Sequence, residues 1–222
     1  MPYTQFKTLK QVKNDFDLTI VENTNFIPKL EPTSASSVLS AFLERTLPSV
    51  IASSSEKVRS EGIVYPVLIE VRELLDRVVN VFSGEDFTVD ESRGLNGVCD
   101  FLISASPEQV EIEAPVLLIV EAKRDNIKSG LGQCIAQMVA AQKLNTDEKT
   151  NILTVYGSVT TGTAWRFLKL EGKTINIELF DYPLPPVEKI LSILLWMIKD
   201  SQQQPLDAIA TFINEIAEPP QA

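Results

Sequence analysis

Hydrophobic residues along this chain fall into two patterns: short apolar runs bounded by turn residues, and longer stretches in which apolar positions recur every three or four residues. The first pattern reads as buried strands and the second as helices with one covered face. Strands are predicted at Asp17 to Glu22, Phe87 to Asp90, Gly97 to Ile103, Pro115 to Lys123, Asn151 to Gly157, Ala164 to Leu170 and Ile175 to Phe180. Glu171-Gly172-Lys173 joins the last two as a hairpin turn, and the segment Ser104 to Ala114 is long enough for a hairpin between the third and fourth.

Helical recurrence starts after a cap at Ser34 to Ser37, with Val38, Leu39, Phe42 and Leu43 on one face and Pro48 marking a junction. Ser53-Ser54-Ser55-Glu56 begins another helix. From Glu61 to Phe82, Val64, Val67, Leu68, Val71, Leu74, Leu75 and Val78 form one broad apolar face, ended by Gly84. Ser129 to Leu144 is helical through Leu131, Ile135 and Met138, and it connects two parallel strands as a βαβ unit. Ile190 to Ile198 is a dense apolar helix containing Trp196, and a last amphipathic helix runs from near Pro205 to before Pro219. The expected fold class is α/β, a mixed central sheet flanked by helices in a single domain over residues 1–222. Within it, 1–60 is an N-terminal strand and helical extension, 61–160 an αβββαβ core, and 161–222 a β-hairpin with C-terminal helices.

Composition narrows the chemistry. A chain of 222 residues, 44% of them hydrophobic, can bury one large core. Its two cysteines, Cys99 and Cys134, give neither a disulfide framework nor a zinc spacing, and both are expected in the core of a reduced, cytoplasmic, soluble protein. There is no signal sequence and no apolar run of bilayer length. Histidine is absent, which removes histidine-based nucleases, Ser-His-Asp hydrolases and histidine-ligated zinc enzymes. No phosphate-binding loop of the Walker type occurs, and Gly130 and Gly132 lack the rest of a dinucleotide fingerprint.

What remains is carboxylate chemistry, and it sits in the two most apolar strands. Glu121 and Lys123 project to the same side of their strand because side chains alternate with period two, and a hairpin lets Asp100 meet them. Two carboxylates about 4 Å apart repel by about 4 kcal/mol at an effective dielectric of 20, so one stays protonated unless a cation joins them. A hard divalent ion such as magnesium removes that conflict, and the lysine places positive charge where a phosphodiester transition state accumulates negative charge. The bland alternative is a structural Glu121–Lys123 ion pair beside an unrelated Asp100.

Asp100, then an interval of about twenty residues, then Glu121-Ala122-Lys123 at the end of a hydrophobic strand resembles the PD-(D/E)XK, or restriction-endonuclease-like, nuclease superfamily. The resemblance covers roughly Ser60 to Gly157, and Cys99 stands where the family name has proline. It implies that Asp100 and Glu121 are ligands of Mg2+ or Mn2+, and that Lys123 orients the attacking water or stabilises charge on the phosphate. It also implies a further metal-site glutamate on the preceding helix. Glu61 and Glu70 both lie at edges of that helix's apolar face, and Glu61 is favoured as the metal ligand because of its place at the helix end. Many related nucleases carry glutamine on the helix after the lysine, which makes Gln133 and Gln137 candidate catalytic residues. The alternative for both is a polar helix face.

The function expected is therefore a divalent-metal-dependent nuclease acting on nucleic acid, DNA before RNA. The alternative is a catalytically silent nuclease-fold interaction module that keeps the metal site, and a third reading is a hydrolase of a small phosphoester. The net charge of -10 favours the silent module because it repels a polyanion, although Arg93, Lys123, Arg124 and Lys128 give a local basic rim. No membrane partner is expected. Apolar residues nearly encircle the Ile190 to Ile198 helix, so it is expected to be covered on two sides, either by a homodimer partner through residues 187–199 or within one chain.

Overall fold

A computed structural model describes residues 2–203, and the amphipathic helix expected from Pro205 onward lies outside the described residues. Eight strands form one mixed sheet in the order β1-β7-β6-β5-β4-β3-β2, with β8 attached to β6. The strands are β1 (Thr19–Thr24), β2 (Asn80–Asp86), β3 (Val98–Ser104), β4 (Val116–Ala122), β5 (Thr154–Thr160), β6 (Ala164–Glu171), β7 (Thr174–Glu178) and β8 (Tyr182–Pro183). The helices are α1 (Leu9–Asp15), α2 (Ser37–Ala52), α3 (Glu56–Arg59), α4 (Tyr65–Leu74), α5 (Ile127–Asp147) and α6 (Glu188–Gln202). A π-helical turn, Ser60–Val64, joins α3 to α4. The expected α/β class and mixed sheet are present.

β4 is fully buried along its length and lies between β3, antiparallel, and β5, parallel. Its Val-Leu-Leu-Ile-Val run suits a strand covered on both faces, where alternation with polar residues disappears. One face carries α5, whose Leu131, Ile135 and Met138 are all buried, together with the N-terminal segment through Tyr3, Phe6 and Val12. The opposite face carries α2, α4 and α6. The crossover from β4 through α5 to the parallel β5 is the anticipated βαβ unit, and β3–β4 and β6–β7 are the anticipated hairpins.

Several boundaries differ from the sequence reading, each for a physical reason. The helix expected to run to Phe82 stops at Leu74, because Asp76 and Arg77 adopt positive φ (52° and 62°) and end it. The β-branched run that follows becomes β2, so the first core strand is Asn80–Asp86 rather than Phe87 to Asp90. Pro48 marks no junction. It lies inside α2, where it is exposed and frees only the carbonyl of Glu44, another exposed residue, while Leu43 and Val50 anchor the turns around it. β5 begins at Thr154 and continues past Gly157 to Thr160, since Gly157 is the point where Met138 and Cys134 of α5 press on the strand, not its end. β1 is displaced to Thr19–Thr24.

α6 is covered on both sides within the chain. Ile190, Leu191, Ile193, Leu194, Leu195, Met197 and Ile198 are all buried in the core shared with α4 and the sheet. Trp196 packs edge-on to Tyr156 and beside Phe26. Phe26, in the connection from β1 to α2, thus covers part of the apolar surface of α6 that the sequence assigned to a dimer partner or to the chain itself. Both cysteines are free and buried, and burial pushes both thiols well above their ordinary range. No helix among the described residues is long and apolar enough to cross a membrane.

Candidate functional site

The β3–β4 register pairs Phe101 with Val120, and one further step places Asp100 opposite Glu121. Directly opposed residues on antiparallel strands point to the same side with Cβ atoms about 5 Å apart. Asp100 Oδ2 accepts a 2.8 Å hydrogen bond from the backbone N–H of Ala122. Lys123 continues the strand by donating its backbone N–H to Thr160 (2.8 Å), and its ammonium pairs with Glu121 Oε1. The three residues named from the sequence are thus brought together.

α5 completes this side. Gln133 Oε1 lies 3.4 Å from Lys123 Nζ. Gln137 is fully buried, and its amide is near enough to Glu121 to favour the charged carboxylate, although neither polar atom of that amide completes a hydrogen bond. Glu121 Oε2 is likewise buried without a hydrogen-bond partner. Gly130, read in the sequence only as a glycine without a dinucleotide fingerprint, makes the approach possible. A Cβ on Gly130 would lie 2.7 Å from Val159 Cγ1 and 3.0 Å from Lys123 Cγ, so the lysine stem crosses α5 where there is no side chain.

Electrostatics follow from burial. Glu121 has no exposed surface, and burial followed by the Asp100 charge raises its pKa to about 8, against the opposing pull of Lys123 and Gln137. Asp100 is also raised, first by burial, with Glu56 adding to the rise while the Ala122 N–H and Lys123 oppose it. Burial alone would lower Lys123, but Glu121, Asp100 and Glu56 together hold it above its ordinary value. The pair of carboxylates is therefore short of positive charge.

Asp100 opens into a cleft of about 450 Å³ that Glu56, Lys57, Ser60, Glu61 and Tyr65 line from the α3 side and Ser83 and Gly84 from β2. Gly84 falls opposite Asp100 in the β2–β3 register, and its φ of +69° and missing side chain leave that flank open. Glu61 is at the cleft, 65% exposed and 3.3 Å from Lys57. Glu70 is elsewhere: its oxygens accept from the Ser36 backbone N–H (2.6 Å) and hydroxyl (2.8 Å), which ties α4 to the start of α2. Glu56 enters the sequence reading only as a helix start and not as a site residue. Its signal was the Ser55 cap, since the helix that begins there continues through the π turn into α4.

A hard divalent ion fits this donor set chemically. Two oxygen donors face each other on adjacent strands, one oxygen is buried and unbonded, and their mutual repulsion is the conflict a cation relieves. Among the described residues, however, no group of three or more acidic or cysteine side chains is gathered tightly enough to enclose an ion. Comparison of the chain with family models, curated proteins and solved structures finds no match in any of the three.

Proposed function

We propose that the protein is a divalent-metal-dependent nuclease of restriction-endonuclease-like architecture, hydrolysing phosphodiester bonds at Asp100, Glu121 and Lys123. The observation that carries this reading is the facing pair Asp100–Glu121 with Lys123 drawn onto it, of which Asp100 lines an open cleft. The order helix, three antiparallel strands, helix, parallel strand supports the architectural part.

Asp100 and Glu121 would hold Mg2+ or Mn2+, and Glu61 or Glu56 is available from the cleft wall. The ion would supply positive charge and acidify a bound water. Ala122 fixes Asp100 through its backbone N–H at one oxygen, which leaves the other free to take a ligand. Lys123 stays charged and donates where negative charge develops on the phosphoryl oxygens, with Gln133 beside it to limit its excursions. Hydrolysis forms a bond from the water oxygen to phosphorus and breaks the bond to the leaving sugar oxygen, which takes up a proton.

Incubation of the purified protein with single- and double-stranded DNA and RNA in magnesium, manganese or EDTA tests the reading. Cleavage with either ion and none in EDTA is expected, and intact nucleic acid under every condition would contradict it.

The net charge of -10, which repels a polyanion, favours a second reading: a silent module that binds the ion without turnover. Calorimetry separates the two, since divalent binding that weakens in Glu121→Ala with no cleavage would support the silent module.

A further inference from the structure

Tyr65 is the first residue of α4, directly after the π turn, and its ring lines the same cleft as Asp100. It stacks on Phe101, with ring centroids 6.4 Å apart and planes 24° from parallel. Phe101 is itself buried and is the chain neighbour of Asp100, so the tyrosine ring is held at a fixed place beside the candidate catalytic carboxylate. Yet Tyr65 remains 40% exposed, and its hydroxyl makes no hydrogen bond among the described residues. An aromatic ring secured by the core and left open toward a cleft is a stacking surface, the kind on which unpaired bases pack.

The charges around it decide which form of nucleic acid suits the cleft. Glu56, Glu61 and Asp100 set three carboxylates against the single ammonium of Lys57. Such a wall does not attract a run of phosphates, and a chain of net charge -10 gains little from counterion release. Binding must then come from the base rather than the backbone. In a duplex each base already stacks on its neighbours, whereas a single strand offers free base faces.

We propose that Tyr65 is a base-stacking platform and that single-stranded nucleic acid is the substrate class of this cleft, a proposal that rests on the phosphodiesterase reading above. Lys57 and Ser60 would then meet the sugar and phosphate of the stacked nucleotide from the same wall.

Fluorescence anisotropy in EDTA, where the strand stays intact, tests this with a labelled oligodeoxythymidine, an abasic strand of equal length and the corresponding duplex. The base-bearing strand is expected to bind about tenfold more tightly than the abasic strand, within the range of one base stacked on an aromatic ring. Tyr65→Ala should abolish that difference and Tyr65→Phe should keep it. The abasic comparison uses the unaltered protein, so it stands even if Tyr65→Ala unfolds. Equal binding of base-bearing and abasic strands, preference for the duplex, or no binding at all would overturn the proposal. Cleavage that ignored the bases and Tyr65 would remove the stacking role and leave the nuclease reading standing. Base-dependent binding with no cleavage in magnesium or manganese would keep Tyr65's role and remove the nuclease.

Discussion

Asp100 accepts its hydrogen bond from the backbone N–H of Ala122, the residue between Glu121 and Lys123. One strand thus both carries the second carboxylate and fixes the first. Because the link is made by main chain, no substitution at position 122 other than proline removes the donor. The separation of the two carboxylates is therefore a property of the β3–β4 ladder.

That enforced proximity has a pH consequence. Glu121 binds its proton up to about pH 8 when folded but only up to about 4.5 in the unfolded chain. Its contribution is full below 4.5 and is lost as pH rises through about 8, because the folded state holds the extra proton only in that window. In EDTA, unfolding free energy is expected to decline across that window by an amount on the order of a few kcal/mol. Urea titrations at its two ends should show the decline in the unaltered protein and a flatter profile in Glu121→Gln. Excess magnesium should restore stability mainly at the alkaline end, since the ion binds the ionised pair.

The packing of Lys123 over α5 predicts the outcome of filling Gly130. Alanine in a helix interior is ordinarily favourable by up to about 1 kcal/mol relative to glycine. Here the new methyl would meet Val159 and the lysine stem, so Gly130→Ala should instead destabilise by about 1–3 kcal/mol and displace Lys123. Denaturant unfolding decides the sign, and a gain in stability would contradict the close approach.

The two helix glutamates should separate cleanly. Glu70→Ala removes both acceptors from Ser36 and should cost roughly 1–3 kcal/mol. Glu61→Ala loses only an exposed pair with Lys57 and should stay within about 0.5 kcal/mol of the unaltered protein. Thermal denaturation of both variants checks this, and equal losses would contradict the division between fold and cleft.

The site was legible in the sequence where local pattern alone decides it. Alternation along β4 placed Glu121 with Lys123, and the turn-bounded apolar run of β3 placed Asp100 beside them. The sequence places Glu56 at the start of one helix and Glu61 at the start of another, and nothing in local periodicity announces the π turn that carries the first into the second and brings Glu56 to the cleft. The end of α4 was obscured for a related reason. Val78 and Phe82 satisfy helical spacing, and only pairing of β2 with β3, some twenty residues away, makes Val81 and Phe82 part of a strand. The roles of Glu70 and Gly130 likewise depend on partners distant in sequence, Ser36 and Val159.

The most direct test of the nuclease reading is the cleavage rate of Asp100→Ala, Glu121→Ala and Lys123→Ala in manganese, each compared with the unaltered protein at matched folded fraction. Each substitution is expected to lower the rate by a factor of about a hundred or more, with a cooperative melting transition retained. Cleavage persisting at the unaltered rate in all three variants would place the chemistry elsewhere in the molecule.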